Sequence, residues 1–170
     1  MDVSGREGPV VAGVFPGQRA AVVTEAAALA RLIDRPLLCV YVAPDTFLTE
    51  WDRADVRVAA SLHPTDIGAA DGQAAMKLSA AITATLQSTE ALPQDWTLRI
   101  LAGDPSRAIA RVADEVDASL VVVGTHASGF GRAVEEWVSG SVAVHLSRAL
   151  RCSIVVVPVG RERADRAVLA

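Results

Sequence analysis

The residues best suited to chemistry cluster in one stretch, Val122-Val123-Gly124-Thr125-His126-Ala127-Ser128-Gly129-Phe130-Gly131, which continues to Gly140-Ser141-Val142-Ala143. Glycine at 124 lets main chain approach a ligand closely, and Gly129 and Gly131 admit dihedrals that a Cβ forbids. Gly140-Ser141 is predicted to open a helix whose unpaired amides and positive dipole end attract an anion. The chemistry this predicts is binding of a phosphate-bearing ligand, and Ser141 serves equally as a helix cap or as a phosphate contact. His126 follows the strand-end glycine, where a surface loop imidazole is a commoner outcome than a ligand contact. Catalysis finds no support. The chain has no Gly-x-Ser-x-Gly elbow, no phosphate loop ending in Gly-Lys-Ser/Thr and no acid–base pair at a recognisable spacing. Its only lysine, Lys77, falls in a predicted helix, away from the phosphates. His63, His126 and His145 share no metal-ligand spacing, so no metal site is expected. Cys39 and Cys152 sit in apolar runs that read as strands, where inert buried thiols are expected.

The elements that must position these residues follow from hydrophobic pattern and punctuation. Val10–Val14 is a short apolar run stopped by Phe15-Pro16-Gly17, a strand and its turn. From 19 to 34, apolar positions recur at helical spacing up to Pro36. Residues 37–42 then run apolar without alternation, as in a parallel strand covered on both faces. The periodicity fades from 43 to 69, a long loop or lid. Helical spacing returns from Gln73 to Leu92, through Met76, Ala80, Ile82 and Leu86. Trp96–Leu101 reads as a strand with Leu98 and Ile100 on one face. Asp104-Pro105 is a helix start, since the Asp side chain accepts an orphan amide and Pro at the first helical position forfeits none. Residues 120–123 form another buried strand running into Gly124, a helix follows at about 141–149, and Ile154–Val157 is the last strand.

Strand and helix thus alternate five times, which predicts an α/β fold: a doubly wound, five-stranded parallel sheet with helices on both faces. In such a sheet ligands bind beyond the carboxyl ends of the strands, where strand order reverses, so the turns after Val14, Val42 and Val123 are the candidate site. A chain of 170 residues with 51% hydrophobic residues suits one domain, expected over 8–159, with 1–7 and 160–170 as flexible tails. With three Trp, three Phe and one Tyr, large stacking surfaces are scarce. Twenty acidic against sixteen basic residues, with no basic block, argue against nucleic acid as a partner. No apolar run approaches the roughly 20 residues needed to cross a bilayer. The start, MDVSGREGP, lacks a signal-peptide layout, so a cytoplasmic protein with no membrane partner is expected.

The glycine-bearing stretch, the turn Gly103-Asp104-Pro105 with Ile109 four residues on, the strand end Tyr41-Val42 and the closing run Ile154–Pro158 together resemble the universal stress protein family. The resemblance covers about residues 8–159. Its ATP-binding members carry Gly-x2-Gly-x9-Gly-Ser/Thr between the fourth strand and the last helix. Carried over position by position, it implies that Gly13 and Val42 border base and ribose and that Gly124 lies beside the ribose. Thr125 and His126 follow it in the site, and Gly140, Ser141, Val142 and Ala143 turn amides and a hydroxyl to the phosphates. The implied ligand is nucleotide-like, ATP or AMP, and the implied partner is a second copy of the chain, paired through Ile154–Val157.

Three departures bear on that expectation. Phe15 stands where ATP-binding members have an Asp, so an acceptor for base or ribose is missing. Ala127 replaces the second motif glycine, and fifteen residues separate Gly124 from Gly140 where the pattern has twelve. The rebuilt segment contains Arg132, Glu135, Glu136 and Trp137. Either a magnesium ion bridges the glutamates and the phosphates, or the glutamates point away and Arg132 alone faces the ligand. The ~100° divergence of adjacent helical residues favours the second. The two functions in view are a nucleotide-binding regulatory protein and a homodimeric interaction module of the same fold that no longer binds ATP.

Overall fold

A computed structural model describes residues 6–18, 20–43, 69–88, 95–125 and 141–158. Among the described residues five strands, β1 (Val10–Val14), β2 (Leu37–Ala43), β3 (Trp96–Ala102), β4 (Leu120–Gly124) and β5 (Ser153–Val157), alternate with four helices. These are α1 (Ala21–Leu32), α2 (Ala69–Ser88), α3 (Pro105–Glu115) and α4 (Ser141–Ala149). All strand pairs are parallel, in the order β3-β2-β1-β4-β5. The expected doubly wound sheet is therefore present, with the order of strands reversing between β1 and β4.

Strand alternation divides the interior into two cores. Val10, Ala12 and Val14 of β1 and Leu37, Cys39 and Tyr41 of β2 meet α1 and α2 on one face. Val11, Leu38, Val40, Val42, Val121 and Val123 meet α3 and α4 on the other. Because both faces are covered, the strands carry β-branched residues at successive positions instead of alternating with polar ones. On α1, Val22, Val23, Ala26, Ala27 and Ala30 form the buried stripe, and alanine at its closest approaches lets helix and sheet pack with little intervening bulk.

Local signals act as expected at two corners. Gln18 N donates to Phe15 O at 3.2 Å, and Gly17 has φ of +79°, so Pro16-Gly17 forms a turn of the type II kind at the end of β1. Asp104 caps α3: its carboxylate accepts from Arg107 N at 2.8 Å and from Ser106 Oγ at 2.6 Å, ahead of Pro105 at the first helical position.

Two expectations need correcting. Helix α2 begins at Ala69, not Gln73, and its inward stripe is Leu78, Ile82 and Leu86; Met76 is 76% exposed and Ala80 is also on the outside. Spacing alone admitted both phases, and contact with α1 selects the one with the larger branched residues. Cys152 lies not in a strand but just before β5, half-buried, whereas Cys39 is fully buried in β2. Of the expected loop or lid, Ala43 ends β2 and Ala69 starts α2; residues 44–68 lie outside the described residues, as do 1–5 and 160–170 of the expected tails.

Candidate functional site

The carboxyl edge of the sheet has a gap where the order reverses. The β1–β4 ladder runs from Val10↔Leu120 to Ala12↔Val122 and stops there, although both strands continue for two residues. On the outer sides pairing persists to the end, Val14↔Tyr41 toward β2 and Gly124↔Val157 toward β5. The ends of β1 and β4 thus diverge, which leaves a crevice of the kind that receives ligands in open α/β sheets. Helix α4 connects β4 to the parallel β5 and so runs back along the sheet, starting at this same edge. Its first amides lack intrahelical acceptors and carry the positive end of the helix dipole.

The predicted residues divide by what each can offer at that crevice. Gly13 is buried at the end of β1, and Gly124 and Thr125 are half-buried at the end of β4. Thr125 N donates to Val157 O at 2.9 Å, so this amide is committed to β5. Val42 and Val142 are buried, and their side chains belong to the core between the sheet and α3 and α4. Only their main-chain groups remain to meet a ligand. Ser141 is the first residue of α4 and Ala143 is half-buried one residue beyond Val142. His126 and Gly140 lie outside the described residues, together with Ala127, Arg132, Glu135, Glu136 and Trp137.

Phe15 is the departure whose consequence is visible. Its half-buried ring packs on the α1/α2 face, not among the α3/α4 residues that include Val42, Val123 and Val142. Its amide donates to Gln18 Oε1 at 3.2 Å. The ring lines a cavity of about 310 Å³ between the β1–α1 turn and α2. Val14, Pro16 and Gln18 contribute from the turn; Lys77, Leu78, Ala81, Ile82 and Thr85 contribute from α2. None of the described residues among those expected to bind nucleotide is in this lining. Sequence reasoning missed this cavity because it arises from two elements far apart in the chain, and the available clue was the isolated Lys77.

Reactive chemistry is sparse at both places. Burial pushes the Cys39 thiol up to about 12, and burial likewise raises that of Cys152, with Arg6 opposing the shift. Both are protonated near neutrality and so are weak nucleophiles. His145 is exposed on α4. Among the described residues no three His, Cys, Asp or Glu side chains are grouped as a metal site would require, and no helix is long and apolar enough to cross a membrane.

Residues 8–158 match the sequence model of the universal stress protein family. No curated protein is significantly similar to the chain in sequence. Among solved structures, a universal stress protein from Archaeoglobus fulgidus aligns over 88% of this chain and 97% of its own, with 19% identity and a TM-score of 0.59. The universal stress protein from Archaeoglobus fulgidus in complex with dAMP aligns over 89% and 98%, with 20% identity and a TM-score of 0.56. Universal stress protein UspA from Lactobacillus plantarum aligns over 89% and 98%, with 23% identity and a TM-score of 0.57. A universal stress protein in complex with cAMP aligns over 88% and 95%, with 19% identity and a TM-score of 0.55.

Proposed function

The chain belongs to the universal stress protein family, and from that premise we propose that it is a regulatory protein that binds a nucleotide-like ligand, AMP or ATP, at the carboxyl edge of its sheet. The observation that carries this reading is the early end of the β1–β4 ladder beside the start of α4. The base would lie beyond these strand ends, with the phosphates at the α4 amides, where the helix dipole stabilises negative charge. Main chain does most of the binding, which is why Gly13, Gly124, Val42 and Val142 can serve without polar side chains. Structures of fold relatives in complex with dAMP and cAMP support a purine nucleotide as the ligand class. A cytoplasmic location and binding without obligatory magnesium complete the proposal.

Calorimetry with AMP, cyclic AMP and ATP, the last with and without magnesium, tests it. At least one should bind, and Gly124→Val should weaken that binding about fivefold or more, because a branched side chain would hold the ligand away from the main chain (~1 kcal/mol for one neutral hydrogen bond). Absence of binding by all three would refute the reading.

A second reading rests on a different observation. Phe15 offers an apolar ring where an acceptor is expected, and edge strand β5 leaves Val156 42% exposed with Ile154 and Val155 half-buried. An apolar edge strand left open is an association hazard. On this reading the protein is a homodimer joined through Ile154–Val157 that acts on partners without nucleotide. A monomer by light scattering at micromolar concentration would refute the dimer.

A further inference from the structure

The cavity between the β1–α1 turn and α2 shares the turn after Val14 with the nucleotide reading but includes none of the described residues expected to bind nucleotide, and its lining is one-sided. Phe15, Val23, Leu78 and Ile82 give it an apolar wall, with Leu78 and Ile82 almost fully buried. In a chain of net charge −4, none of its described lining residues is acidic. The one charged group is the ammonium of exposed Lys77, which makes no ion pair among the described residues. Gln18 accepts from Phe15 N through Oε1, which leaves its amide nitrogen to donate. Thr85 Oγ1 donates to Ala81 O at 2.9 Å. Lys77 and the Gln18 amide nitrogen are therefore donors at the mouth, the Thr85 proton is already committed to its own helix, and the interior is hydrocarbon.

We propose that this cavity is a second binding site, for an unbranched aliphatic monocarboxylate with its chain on the Phe15–Ile82 wall and its carboxylate toward Lys77 and Gln18. Size supports the class. At about 30 Å³ per water-sized group, 310 Å³ holds roughly ten non-hydrogen atoms, the size of an eight-carbon carboxylate. An adenine nucleotide has roughly twice that number. The volume lies at the lower end of the range for ligand pockets, about 300–1,000 Å³.

The test is calorimetric titration of the full chain with hexanoate, octanoate and dodecanoate. Affinity should rise about fourfold per methylene from six to eight carbons, the ratio set by burying one CH₂, and then level off once the cavity is full. Ala81→Leu places extra carbons at the mouth from an exposed helical position and should weaken octanoate about tenfold or more. Lys77→Gln should weaken it about two- to fivefold, as for one solvent-facing charge pair. Thermal melts of both variants should match wild type. Failure of octanoate to bind at millimolar concentration, or octanoate binding indifferent to Ala81→Leu, would overturn the site. Competition between octanoate and AMP, with Ala81→Leu abolishing both, would also overturn it by making the cavity part of the nucleotide site. Octanoate binding that is sensitive to Ala81→Leu in a protein that ignores AMP, cyclic AMP and ATP would uphold this site and reject the nucleotide reading.

Discussion

Gly8→Ala is expected to be strongly destabilising. Gly8 lies at the amino edge of the sheet, where the segment entering β1 crosses the α3–β4 corner, and Gly8 N donates to Asp117 O at 3.1 Å. A Cβ built at Gly8 falls on the carbonyl oxygens of Val116 and Asp117 and lies 2.6 Å from the carbonyl carbon of Asp117. These are main-chain atoms of a corner already committed to a left-handed residue, Asp117 with φ of +50°, so they cannot yield as a side chain would. Ser119 Oγ lies 2.6 Å from Gly8 O and 2.8 Å from Arg6 O, which ties the same segment down from the other side. Overpacking costs about 1–3 kcal/mol, and loss of one of these hydrogen bonds adds about 1 kcal/mol. The expected destabilisation is therefore about 2–4 kcal/mol, read as a lower urea midpoint at unchanged m-value. The equivalent fall in Tm is roughly 4–16 °C for a domain of this size.

The contrast is Gly103→Ala, where nothing lies within 4 Å of the added Cβ but φ is +108°. Strain alone should cost about 1–3 kcal/mol there, without the lost hydrogen bond. Because Gly8 is at the opposite edge from the crevice, its alanine variant should keep wild-type nucleotide affinity wherever it remains folded. A Gly8→Ala variant within about 0.5 kcal/mol of wild type would refute the account of this corner.

The remaining expectations are simpler. Asp104→Ala removes the α3 cap and should cost about 0.5–2 kcal/mol, with Asp104→Asn recovering most of it in the same urea titration. Ile82→Ala should cost about 2–5 kcal/mol and Met76→Ala less than about 0.5 kcal/mol; comparable losses would mean the phase of α2 is wrong. For Cys39 the folded thiol, held up to about 12, ionises later than the unfolded one. Its contribution is then fully present below the unfolded pKa near 8.5 and is lost as pH rises toward 12. Urea midpoints of a Cys39→Ala variant should accordingly fall less steeply than wild type between about pH 9 and 11. Iodoacetamide labelling of native protein should modify half-buried Cys152 before Cys39.

Order of elements and sheet type were legible in the amino-acid order. They rest on local signals: two-sided apolar strands at 37–42 and 120–123, and the Asp104-Pro105 start. Tertiary structure decided what depends on contacts between distant segments. The inward face of α2 could be set by Leu78 or by Met76, and packing on α1 chose the former. That the Val42 and Val142 side chains share the α3/α4 core depends on a strand end and a helix start meeting across a hundred residues. Phe15 marked a lost acceptor in the sequence, but that its ring would roof a cavity against α2 was invisible until the chain folded. Periodicity records which residues leave water; which partner each one meets is fixed by the crossing of elements, and no local window contains it.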